Sequence, residues 1–261
     1  MRQLVTAMVV IAALGAASGL RAQGIAARVS AVGSGTVRFE FPAADGVCGN
    51  GRDNIGVRRG GRMSLSQGEF RSREWDSECE HGPVRIALDV SRGTVTALRA
   101  YVGGQWRGQA DRDLGAVSAV DASDYLLGLA STASATVAQE ALFPATLARG
   151  ENPWPRLLQI AKDDGRPRDV RNAAVFWLGQ GTAEEATKGL ADIVDADGDR
   201  EVRKSAVFSL SQRPKDESVP ALIRVARTNR DPQLRRAAIF WLGQSRDARA
   251  IAYFEEVLTG R

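Results

Sequence analysis

The sequence predicts an α+β, multidomain protein: a small antiparallel β domain followed by a short α-solenoid of about four helical hairpins. Three observations predict it. The stretches Val170–Gln180, Val202–Gln212 and Leu234–Gln244 are copies set 32 residues apart. A second apolar ladder, with starting residues 126, 157, 190, 222 and 254, runs through the gaps between them. Upstream, alternating segments and the chain's 2 cysteines give residues 25–115 a different texture.

Self-similarity at such a period marks stacked supersecondary units, each too small to bury its apolar face without a neighbour. The first and last copies agree at Arg171/Arg235, Ala174/Ala238, Phe176/Phe240, Trp177/Trp241, Leu178/Leu242 and Gly179/Gly243. In the ladder, Leu157, Leu158, Ile160 and Ala161 stand at i, i+1, i+3 and i+4, and the later rungs repeat the pattern. That spacing covers one stripe of an α-helix, so each unit supplies two amphipathic helices. An earlier, decayed first helix reads at Val137–Phe143 before Pro144 interrupts, which extends the array to 121–261. Gly179 and Gly243 are expected to close first helices in the left-handed region. Asp231–Pro232 opens one with a capping carboxylate and a first-turn proline, and Asp199 is expected to cap another.

These residues resemble the HEAT-like repeats, in particular the short bacterial type first named for phycobilisome lyases. The resemblance rests on Val-Arg-x-x-Ala-(apolar)-x-x-Leu-Gly preceded by Asp, at 170–179 and 234–243, with Leu234 for the first Val. It is looser at 202–211, where Ser211 replaces the Gly. It covers roughly half the chain. It implies stacked hairpins with the second helices on the concave side, and it says little about activity, since the family includes scaffolds, adaptors and a few enzymes.

Residues 1–22 read as a signal peptide: Arg2 is basic, Leu4–Leu14 is apolar, and small residues lead to a cleavage site before Gln23. The run is too short for a membrane span, and an uncleaved anchor is the plainer alternative. The expected location is the periplasm or the extracellular space, with no stable membrane insertion after cleavage. Removing Arg2 and Arg21 lowers the formal charge from +4 to +2, which gives little reason to expect nucleic acid.

In an oxidising compartment Cys48 and Cys79 most simply form one disulfide. The β domain is expected over 23–110. Thr36–Phe41, Val84–Val90 and Thr94–Val102 alternate, with Ser91-Arg92-Gly93 as a hairpin turn. Gly46–Gly61 is expected as a long loop held by Cys48, and 111–120 as a connector to the helices.

No catalytic constellation is visible. The only histidine, His81, lies outside the repeats, so no Ser-His-Asp or Cys-His arrangement can be built in the array. Iron binding through His-Glu pairs, known in some HEAT-like proteins, is set aside for the same reason. Asp195, Asp197 and Asp199 have part of a calcium-loop spacing, but Arg200 stands where glycine is needed, and a polar turn explains them with less. Asp45, Asn50, Asp53 and Asn54 read as turn formers. No metal or cofactor is expected.

Trp177, Phe208 and Trp241 are expected to pack in the repeat core. Stepping by one unit along the second helices gives Gln159, Asp192, Arg224 and Glu256 in one row, and Lys162, Asp195, Arg227 and Thr259 in the next. These charges alternate in sign. Taken singly they suit ion pairs between neighbouring units. As rows, with Glu185, they would form a mixed-charge surface for a protein or peptide. The function expected is an exported, non-catalytic binding or scaffolding module. The competing reading, an enzyme or accessory resembling phycobilin lyases, is opposed by export.

Overall fold

A computed structural model describes residues 24–52, 54–59, 62–67, 79–181, 184–196 and 198–260. The expected signal peptide, Asp53 and Asp197 lie outside them. The chain divides into two compact units, Met1–Glu151 and Asn152–Arg261.

In the first unit a short helix α1 (24–30) precedes β1 (Gly35–Phe41), β2 (Val47–Gly49), β3 (Ile55–Arg59), β4 (Arg62–Gln67), β5 (Val84–Ser91), β6 (Thr94–Val102) and β7 (Arg112–Ala116). Helices α2 (Ala119–Thr132) and α3 (Ala135–Ala145) follow. One sheet has the order β6-β5-β1-β7, antiparallel except for the β1–β7 pair, and a second has the order β2-β3-β4. The predicted alternation is realised: Val37, Phe39 and Phe41 on β1 are buried together with Val84, Ile86 and Leu88 on β5. Successive strand side chains point to opposite faces, so the alternating set forms one apolar face. Helices α2 and α3 pack against it. The Phe39 and Tyr125 rings meet edge to face at 6.1 Å, and the Leu98 N–H donates to Glu140 Oε2 at 3.1 Å.

Several local expectations change. The segment 111–120 carries β7, which pairs in parallel with β1 and is fastened by Arg38 donating to Asp113 at 2.8 Å. Gly46–Gly61 holds β2 and β3 instead of one long loop. Glycines hide the alternation there, and Gly49 serves close approach, since a Cβ on it would lie 2.4 Å from the Val102 carbonyl oxygen. The β5–β6 turn has two central residues, Arg92 and Gly93, both left-handed at φ 52° and 72°, with Ser91 and Thr94 paired across it. Pro144 lies in the last turn of α3, where it leaves the helix intact, and the N–H groups of Thr146 and Leu147 close the end on Phe143 and Pro144. The Cys48–Cys79 disulfide is present, with Cys48 fully buried on β2.

The second unit is a helical repeat of α4 (Trp154–Lys162), α5 (Arg168–Gln180), α6 (Glu184–Asp195), α7 (Arg200–Ser211), α8 (Lys215–Thr228), α9 (Pro232–Ser245) and α10 (Ala248–Thr259). Helices α5, α7 and α9 are first helices, and α4, α6, α8 and α10 are second helices. The second unit therefore has three hairpins, α5–α6, α7–α8 and α9–α10, with the second helix α4 ahead of them, and α2 and α3 belong to the first unit.

The stripe Val170, Ala174, Leu178 and its copies Val202, Ala206, Leu210 and Leu234, Ala238, Leu242 are buried, with the second-helix ladder Leu157, Leu190 and Leu222 against them. Asp199 and Asp231 cap as expected, accepting from the N–H of Glu201 and Gln233. Gly179 and Gly243 do not: both lie inside their helices, and the left-handed cap of α9 is Arg246 at φ 50°.

Candidate interaction surface

The repeating arginines act within the stack. Arg171 Nε donates to the Ala161 carbonyl at 3.2 Å, Arg203 Nε to that of Val194 at 3.0 Å, and Arg235 Nη1 to that of Asn229 at 2.8 Å. Each first helix thus satisfies orphan carbonyls at the end of the second helix before it. A second ladder joins successive first helices: Arg168 Nε reaches Asp199 at 2.7 Å and Arg200 Nε reaches Asp231 at 2.8 Å. The Arg168 hydrogen bond holds the Asp199 carboxyl below its ordinary range, and the Gln233 N–H, followed by Arg200, does the same for Asp231.

The charged rows of the second helices turn inward on each other. Lys162 on α4 lies 3.7 Å from Asp192 on α6. Arg224 on α8 lies 2.5 Å from Asp195 on α6, and Arg227 on α8 pairs with Glu256 on α10 while its guanidinium stands 5.4 Å from the Tyr253 ring centre. Six of the eight residues expected to meet a partner therefore bridge neighbouring units in pairs. Gln159 and Glu185 are exposed.

The aromatic residues take the opposite course. Phe176, Phe208 and Phe240, 32 residues apart, are 39%, 36% and 56% exposed on α5, α7 and α9. Trp177 and Trp241 are half-buried in equivalent places, each with its ring 5.0 Å from the preceding Phe and nearly perpendicular to it. The Phe208 and Trp241 rings meet across the unit junction at 5.1 Å. The expectation of core packing is corrected for Phe208, which lies at the surface. Adjacent helical residues diverge by about 100°, and in α7 the inward position belongs to Ser209. The row has a backing layer of indoles and an outer layer of phenyl rings.

In the first unit, a depression of about 530 Å³ is bordered by Pro42, Ala44, Asp45, His81, Pro83 and Arg149. His81 Nδ1 lies 2.8 Å from the Val47 carbonyl oxygen, which fixes the imidazole to the backbone. No helix among the described residues is long and apolar enough to cross a membrane.

Residues 187–260 match a family model described as HEAT repeats. The matched span runs from within α6 to the end of α10 and supports a HEAT-like repeat, with nothing particular to the phycobilisome lyase type. No curated protein matches the chain.

Proposed function

We propose that the protein is an exported, non-catalytic module that binds or scaffolds another protein, and that its contact surface is the aromatic row Phe176, Phe208 and Phe240. The observation carrying this reading is the repetition of exposed phenyl rings on half-buried indoles, while the neighbouring charged rows are occupied with one another. Rigid aromatic side chains supply much of the energy at protein interfaces because they bury large apolar area at low entropic cost. HEAT repeats commonly mediate protein binding, and exposed apolar rows on stacked helices fit that use. Export rests on residues 1–22, and the disulfide agrees with an oxidising compartment.

The test is photocrosslinking from position 208 in intact cells, beside pull-downs with Phe208→Ser and Phe240→Ser. One captured macromolecule, retained by the parent and lost by both variants, supports the reading. Equal retention by the variants, an unprocessed chain found in the cytosol, or a chromophore bound to the purified protein would overturn it.

A further inference from the structure

At the α6–α9 edge of the second unit lies a polar cleft of about 620 Å³. Its charged lining is Arg200, Arg203, Arg224 and Arg230 against Asp195 and Asp231, a formal excess of two positive charges. Arg224 pairs with Asp195, and Arg200 with Asp231. Arg203 spends Nε on the Val194 carbonyl, and among the described residues neither Arg203 nor Arg230 makes an ion pair with a carboxylate.

The equivalent cleft one unit earlier shows how this excess arises. It measures about 270 Å³ and includes Gly198. Its charged lining is Lys162, Arg171 and Arg203, the last shared with the later cleft, against Asp164 and Asp199, a formal excess of one positive charge. There Arg171, the counterpart of Arg203, is neutralised by Asp164 at 2.7 Å. Thirty-two residues on, the acid of Asp164 is replaced by Ala196, and Gly198 is replaced by Arg230. Arg230 adds a positive charge to the later cleft, and Ala196, which itself lines the earlier cleft, cannot give Arg203 the ion pair that Asp164 gives Arg171.

We infer that this cleft binds an oxyanion group, a phosphate or a carboxylate, through Arg203 and Arg230. A guanidinium presents its N–H groups as a planar fork that matches both oxyanions in a bidentate manner. The two ion-paired aspartates hold Arg200 and Arg224 in place at the walls, so a ligand meets a fixed frame. This site is separate from the aromatic row and stands or falls independently of it.

The experiment is a titration of the full mature chain with inorganic phosphate and, separately, with succinate, at constant ionic strength, followed by backbone amide NMR shifts. Saturable shifts confined to residues 194–203 and 228–236 are expected. Two variants copy the preceding unit: Arg230→Gly removes the added charge and Ala196→Asp restores the lost acid. Each residue is already tolerated at its counterpart position, and each variant is expected to weaken binding at least fivefold with the amide spectrum otherwise retained. Tighter binding of phosphate identifies a phosphoryl ligand, and tighter binding of succinate a carboxylate. Diffuse, non-saturating shifts with both anions, or affinities unchanged in the variants, would overturn the inference.

Discussion

Gly179 and Ser209 meet where α5 crosses α7 with no room between them: a Cβ on Gly179 would stand 2.8 Å from the Ser209 Cβ and 3.1 Å from its Cα. The glycine expected to end a helix instead lets the next first helix approach. Its counterpart Gly243 has nothing within 4 Å of the same position. The two glycines therefore predict opposite results. Gly179→Ala overpacks the crossing and is expected to cost about 1–2 kcal/mol net of the gain in helix propensity. Gly243→Ala has only the propensity gain, about 0.5–1 kcal/mol. Urea midpoints at unchanged slope measure both, and equal shifts would remove the crossing as the cause.

Arg213 breaks the repeat and is buried for a reason local to one junction. Its side chain is 1% exposed, with Nε 2.7 Å from Thr187 Oγ1 and Nη2 2.9 Å from Glu217 Oε2, while Nη1 donates to the Gly181 carbonyl. Thr187 also donates to Glu217, and that bond is the leading cause of the lowered Glu217 carboxyl. Arg213→Met leaves the Gly181 carbonyl without its donor and removes the ion pair from Glu217, which keeps the Thr187 hydroxyl, a loss of about 2–4 kcal/mol. Arg213→Met with Glu217→Gln is expected to recover part of it. A double-mutant cycle with no coupling would contradict the network.

What the sequence made legible was whatever the repeat repeats. The buried stripe and both capping aspartates follow from residues that recur at 32-residue spacing. Phe208 was misplaced because apolarity does not state a direction, yet the signal was present. Val170, Ala174 and Leu178 step by four along the buried stripe, and Phe176 stands two residues from both neighbours, about 200° away around the helix. The glycines at 49, 51 and 56 erased the alternation that would have shown β2 and β3. Strand β7 was hidden because it is short and finds its partner, β1, far away in sequence. Of the candidate site, the alternating signs of Asp192, Asp195, Arg224, Arg227 and Glu256 were legible, and so was their pairing as one of two readings. The cleft at Arg230 was not, because its lining is gathered from four helices, α6 to α9, and the turn between α8 and α9, which only the fold brings together.

The Cys48–Cys79 bridge spans a separation of 31 residues and ties β2 to the segment leading into β5. Closing a loop of that length restricts the unfolded chain and on the chain-entropy model stabilises the fold by about 3–4 kcal/mol. Reduction, or Cys48→Ala with Cys79→Ala, is expected to lower the melting of the first unit by that amount and to leave the helical signal of the second in place. A melting profile indifferent to reductant would show that the first unit does not depend on the bridge.

Acid should loosen the start of α10 through Asp247. This residue caps the helix by accepting from the Arg249 N–H at 3.0 Å, and Arg249 Nε donates to the same oxygen at 2.9 Å. The Arg249 side chain first, and its N–H second, hold the Asp247 carboxyl at about 2, below its ordinary 3.8. Because the folded value is the lower one, the unfolded chain takes up the proton first on acidification. The stabilising contribution is therefore complete above about pH 4 and is lost as pH falls toward 2. Asp247→Asn keeps an acceptor for the Arg249 N–H but has no charge to titrate. The parent's urea midpoint is expected to fall more steeply than the variant's between pH 4 and pH 2. Parallel profiles would show that the Asp247–Arg249 contact does not persist in solution, since an exposed pair that samples open geometries leaves the carboxyl near its unfolded value in both states.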